Sequence, residues 1–168
     1  MGQQASTRPS VLGLVPSGAP GTRATLRLMA GLVRRYRTDQ RVRDLALRIV
    51  AGIPGKAYPI ELDFLRRWVQ ANIRYTRDVH SVETLQTPTA TLDIKQGDCD
   101  DQATLLGALA ESIGFNVRFV AMGRAAARFE HVFMEAEVPG RGWVAAETTE
   151  NVPLGWRPQW HYEMVEVV

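Results

Sequence analysis

The sequence predicts an α+β fold: several N-terminal helices, a helix carrying the single cysteine, and a small antiparallel sheet after it. Two observations carry this. Up to Gly114 the apolar residues recur at three- and four-residue spacing, the helical period. Beyond it the pattern turns to alternation, most clearly around His131, and Pro139-Gly140-Arg141-Gly142 separates two strand-like runs as a hairpin loop would.

At 168 residues, with 45% apolar and 23% charged side chains, the chain suits one domain with a substantial core. Residues 1–22, rich in Pro, Gly, Ser and Thr, read as a flexible or partner-bound arm, and 23–168 as the domain. Met1-Gly2-Gln3-Gln4-Ala5-Ser6 matches the form of an acylation signal, a short pattern common by chance. Residues 24–37 form an amphipathic helix with Leu26, Met29, Leu32, Val33 and Tyr36 on its apolar stripe; its arginines read as a solvated face. Thr38 or Asp39 caps a second helix carrying Val42, Leu45, Ala46, Ile49 and Val50, stopped by Gly52 and Pro54. A third runs from Pro59 to Asn72, its apolar side Phe64, Leu65, Trp68 and Val69. Residues 76–90 read as irregular, with His80 as a loop residue.

Gly97 to Gly114 is the most informative stretch. It reads as a turn, an acidic cap, and a helix whose stripe is Ala103, Leu106, Leu109, Ala110 and Ile113, ended by Gly114. Asp98 suits the cap position, which places Cys99 in the first turn beside unpaired N–H groups and the positive end of the helix dipole. Both favour thiolate. Asp98, Asp100 and Asp101 oppose it, since nearby anions raise a thiol pKa, so a cation must offset them; His131 is the leading candidate. Strands follow at 117–122, 129–138 and 143–147, and Tyr162 to Val168 alternates enough for a short edge strand. Alternation sets His131, Phe133, Glu135 and Glu137 on one side of their strand, with Val132, Met134, Ala136 and Val138 toward a core. Trp156 and Trp160 read as cover for the hairpin.

The Gly97-Asp98-Cys99-Asp100-Asp101-Gln102-Ala103 motif with its leucine-rich helix resembles the cysteine motif of the transglutaminase-like superfamily. His131-Val132-Phe133-Met134-Glu135, then Gly142-Trp143-Val144, then Glu147-Thr148-Thr149 follow in that family's order, over about residues 40–150. Phe133 stands where the family has Trp, Glu147 where it has the triad Asp, and Thr148 where it has Pro. The resemblance implies a papain-like, transglutaminase-like core of the bacterial or phage cysteine peptidase type. It implies Cys99 as nucleophile, His131 as base and Glu147 as its orienter, with Glu135 the substitute orienter if Glu147 cannot reach. Papain-like enzymes place a side-chain amide in the oxyanion hole, and Gln86 and Gln96 are the candidates upstream of Cys99. One branch of the superfamily binds calcium near its Asp-Cys-Asp motif, so Asp98 and Asp100 are candidate Ca²⁺ ligands, although no cofactor is required; local capping is the competing reading.

The expected activity is thiol-dependent acyl transfer, chiefly amide or peptide hydrolysis, on a protein or peptide substrate. The alternative is an inactive domain of this fold serving as a binding or structural part of a larger assembly, such as a phage particle, with the arm as contact. A net charge of +2 gives no reason to expect nucleic acid, and no apolar run reaches the ~18 residues of a membrane span. Val11 to Val15 is too short for a signal-peptide core, which leads to a cytoplasmic or phage-particle expectation.

Overall fold

The computed structural model describes residues 10–12, 18–76, 84–125 and 128–168; His80 and most of the expected arm lie outside them. In chain order the elements are β1 (Ser10–Leu12), α1 (Ala19–Tyr36), α2 (Gln40–Ile49), α3 (Tyr58–Asn72), β2 (Arg74–Tyr75), β3 (Thr84–Gln86), α4 (Pro88–Ile94), β4 (Gln96–Gly97), α5 (Cys99–Ser112), β5 (Val117–Ala125), β6 (Arg128–Val138), β7 (Gly142–Ala146) and β8 (Tyr162–Val167). Strands β5 to β8 form one antiparallel sheet in the order β7-β6-β5-β8, so β8 is an edge strand as expected. Two small pairs stand apart from it: β1 antiparallel to β3, and β2 parallel to β4.

Helix α5 is the centre of the molecule, packed against all four other helices and against β5 and β6. The sequence shows one apolar stripe on it; in the structure every residue from Asp101 to Ala110 is buried. The small residues Ala103, Gly107, Ala108 and Ala110 allow this, because they let neighbours approach from several sides. A Cβ on Gly107 would lie 3.1 Å from Val33 of α1 and 3.2 Å from Phe119 of β5. Leu105, Leu106 and Leu109 are fully buried, each contributing about 1.5–3 kcal/mol of transfer free energy.

Three helices depart from the sequence reading. Helix α1 starts at Ala19, inside the stretch read as an arm, because Pro20 falls in its first turn, where a missing N–H costs nothing. A short helix, α4, occupies part of the segment read as irregular, with Thr87 as its cap and Pro88 in its first turn. In α3 the inward side is Leu62, Leu65, Arg66 and Val69, while Phe64 is 49% exposed. Asp39 is the cap of α2, its carboxylate accepting from the backbone of Arg41 and Val42.

Both faces of the sheet are covered at the His131 end. Val132, Met134, Ala136 and Val138 join the main core under α5. On the other face Val120, Met122, Phe133 and Ala145 form a second cluster beneath Trp160 and Val165. Glu135 is buried there as well, paired with Arg118 at 2.7 Å and with Arg157 at 3.1 Å. Those two arginines account for Glu135, which therefore does not orient His131. Among the described residues, no helix is long and apolar enough to cross a membrane.

Candidate active site

Cys99 opens α5. Its position is fixed by a series of local bonds that the Gly97–Gln102 sequence makes. Asp98 Oδ1 accepts from the N–H groups of Asp100 and Asp101, at 3.1 and 3.2 Å, capping the helix as read from sequence. Gly97 leaves room for the turn: a Cβ there would sit 2.6 Å from Asp101 Cβ. Asp101 is buried, and its carboxylate accepts from the Gln86 backbone N–H at 2.7 Å and from Gln86 Nε2 at 2.8 Å. Gln102 Nε2 donates to the carbonyls of Ile73 and Gly97. The turn before the cysteine is thus tied to β2, β3 and β4.

His131 lies on β6 opposite Met122, next to an irregularity of the β5–β6 ladder at Gly123. Gly123 is obligatory there, since a Cβ would fall 2.0 Å from the Arg128 carbonyl oxygen. The His131 ring is held from three sides. Nε2 is 2.6 Å from Glu147 Oε2, Phe133 stacks at 6.1 Å, and the edge of Trp160 meets it at 6.2 Å. Glu147 follows β7 and is 1% exposed. Its other oxygen accepts from the Thr149 N–H at 2.6 Å and from Thr149 Oγ1 at 2.8 Å. Buried Arg66 donates to the Glu147 carbonyl at 3.3 Å. Burial alone would raise the Glu147 pKa; His131 and Thr149 outweigh it and hold the carboxyl below its usual range, so it is ionised at neutral pH. The ring nitrogen left to face a reaction partner is Nδ1.

Cys99 and His131 line one cavity of about 200 Å³, with Asp98 and Asp100 beside them and Thr25 and Met29 of α1 forming part of the wall. The thiol is half-buried and donates to Asp100 Oδ1 at 3.3 Å. Its pKa is raised well above the ordinary thiol value, first by burial, then by Asp100 and Asp98, against a hydrogen bond from the Val132 N–H. The resting thiol is therefore protonated, and the helix dipole expected to favour thiolate does not prevail over the aspartates and burial.

Gln86 and Gln96 do not line this cavity. Gln86 directs its amide nitrogen to Asp101 Oδ2 and the Gln96 carbonyl, so both of its protons are used within the scaffold. Gln96 sits in β4, paired with Arg74. The aspartates also diverge. Asp98 caps the helix and Asp101 holds Gln86, and among the described residues no group of three or more His, Cys, Asp or Glu side chains is arranged to hold a metal ion. Of the two candidate calcium ligands, Asp98 is engaged as the helix cap and Asp100 accepts from the Cys99 thiol. Arg66 and Trp160 join the site through contacts across the fold that no local pattern announces, whereas Thr149 bonds Glu147 from two residues on, within the quoted Glu147-Thr148-Thr149 motif.

Comparison with known proteins agrees with this architecture. The family model for the transglutaminase-like superfamily matches residues 43–148, more than half of the chain. No curated protein matches in sequence. Among solved structures, a Cytophaga hutchinsonii protein described as a candidate cysteine protease is similar with a TM-score of 0.56 and 22% identity, over 74% of this chain and 43% of that one. A Parabacteroides distasonis protein described as a candidate protease is similar with a TM-score of 0.55 and 16% identity, over 77% of this chain and 27% of that one. This chain spans less than half of either protein, and at those identities the likeness speaks to the fold. With a match that spans both the cysteine helix and the histidine strand, the chain belongs to the transglutaminase-like superfamily.

Proposed function

We propose that the protein is a thiol-dependent acyl-transfer enzyme acting chiefly as an amide or peptide hydrolase, with Cys99 as nucleophile, His131 as base and Glu147 as orienter. The observation that carries this reading is the buried 2.6 Å bond between His131 Nε2 and Glu147, on an imidazole that shares a cavity with the thiol. A carboxylate on Nε2 keeps that nitrogen protonated and leaves Nδ1 to accept a proton. The thiol proton passes to Nδ1 as sulfur attacks the carbonyl carbon, and Glu147 stabilises the imidazolium so formed. The Cys99 N–H, at the helix start where no intrahelical partner exists, is placed to help bind the oxyanion. The intermediate collapses as the C–N bond breaks and His131 returns the proton to the departing amine. Water, deprotonated by the same imidazole, then releases the acyl group as the carboxylic acid. The structural neighbours described as candidate proteases support hydrolysis over transfer to an amine.

Because the resting thiol is protonated, proton removal accompanies attack and no ion pair stands ready beforehand. The same fact favours the second reading, an inactive domain retained as an assembly part. Profiling the full chain against a mixed peptide library by mass spectrometry separates the two. The enzyme reading predicts new peptide termini that vanish in Cys99→Ala and fall sharply in His131→Ala. Identical products from the wild type and Cys99→Ala would contradict it.

A further inference from the structure

Two cavities meet at His131. Cys99 lines the first; the second, of about 660 Å³, has His131 but not Cys99 in its wall and lies between Tyr75, Glu150, Trp156 and Trp160. Its size is within the range of small-ligand sites. Trp156 and Trp160 lie beyond the residues that the family model matches.

Resting on the hydrolytic reading above, we infer that this second cavity receives the amine-side part of the substrate and selects a basic residue, lysine or arginine, immediately after the scissile bond. The placement follows from the proton path. His131 must protonate the departing nitrogen, so that nitrogen lies against the imidazole while the acyl carbon is on Cys99. The residue carried by the nitrogen then continues past His131, away from the thiol.

The choice of a basic side chain follows from the lining. Arg124 also lines this cavity and covers Trp160, its guanidinium 5.1 Å from the ring centroid, which leaves Trp156 as the open indole. Trp156 is 36% exposed and offers that ring surface. The negative charge of Glu130 is shared by Arg124 at 3.8 Å and Arg128 at 3.3 Å. Exposed Glu150 has no ion-pair partner among the described residues. A lysine or arginine stem would lie along Trp156 with its charged end toward Glu150.

The test uses the full chain carrying Cys99→Ala, titrated with argininamide, lysinamide, norleucinamide and glutamic acid α-amide. Binding is read from tryptophan fluorescence and from the indole N–H signals in ¹H–¹⁵N spectra. The two basic amides should bind roughly fivefold tighter than norleucinamide, from one cation–π contact and one exposed ion pair. Glu150→Gln, an exposed change, should reduce that preference, and Trp156→Ala should abolish binding, with Trp156→Phe restoring part of it. Equal affinity for norleucinamide, tighter binding of the glutamic acid amide, or no binding by any of the four overturns the inference. A basic preference alongside alkylation of Cys99 that ignores His131 would instead sink the hydrolytic reading, and the leaving-side assignment with it. Loss of the preference with His131-dependent alkylation intact would sink the subsite alone.

Discussion

Replacing Glu147 by glutamine keeps the shape of the side chain and exchanges one acceptor oxygen for a donor. In the wild type one carboxylate oxygen meets His131 Nε2 at 2.6 Å and the other accepts twice from Thr149. A glutamine has one acceptor end and one donor end, and neither orientation satisfies both neighbours. With its oxygen on His131, the NH₂ meets the Thr149 backbone N–H, donor against donor at a site where the carboxylate contact was 2.6 Å. With its oxygen on Thr149, the NH₂ faces Nε2, which must then give up its proton. The proton moves to Nδ1, the atom needed to take the thiol proton. Either arrangement also removes the charge that stabilises the imidazolium. A hydrogen bond to a charged partner is worth about 1.5–3 kcal/mol and an orphaned buried N–H costs a similar amount, so a loss of about 3 kcal/mol is expected, or roughly 100-fold in the rate of Cys99 modification. The assay is the second-order rate of Cys99 modification at neutral pH, beside the ring ¹⁵N shifts of His131, which report the tautomer. An unchanged rate with Nε2 still protonated would refute the orienting role of Glu147.

Other expectations follow from the same contacts. The Glu147 carboxyl is held below its ordinary pKa, so its charge stabilises the fold above pH ~4.3, and that contribution is lost as pH falls through the folded value. Chemical denaturation across the acid range should show this limb in the wild type and a flatter profile in Glu147→Gln; parallel profiles would count against it. Gly97→Ala places a Cβ 2.6 Å from Asp101 Cβ and should cost about 1–3 kcal/mol in denaturant unfolding while slowing Cys99 modification; an unaffected variant would show that the turn has slack. Arg66→Met removes the buried donor to the Glu147 carbonyl and the link to Asp63, and should lower Tm by several degrees for a loss of about 2 kcal/mol. A Tm equal to the wild type would mean that Arg66 does not hold that segment.

The elements easiest to read in the sequence were those whose signals are local. The Asp98 cap and the alanine- and leucine-rich helix placed Cys99 within one helical turn, and the alternation around His131 gave the correct core side, Val132 to Val138. The opposite side of β6 read as polar, yet Phe133 and Glu135 are buried there. Their cover is the C-terminal segment with Arg157 and Trp160, and no window around β6 contains it. Helix α4 was hidden by its seven residues, too few for a helical period to declare itself, and by Pro88, which marks a break in one context and a first turn in another. Phe64 shows the reverse error: an aromatic residue placed on the buried side that the packing of α3 leaves outside. Glu147 came from the order of motifs in the resemblance. Thr149, which helps fix it, lies two residues on, whereas Arg66 reaches it from another helix and is visible only in three dimensions.

The central claim is that His131 takes the proton of Cys99. Its most direct measurement is the pH dependence of Cys99 alkylation by iodoacetamide in the wild type and in His131→Ala. Since burial and the two aspartates hold the thiol protonated, the wild type should owe its reactivity near neutral pH to the imidazole. Its profile should therefore carry a plateau well below pH ~8.5, the unperturbed thiol value, which His131→Ala removes. Superimposable profiles, each rising only as a free thiol ionises, would contradict the account.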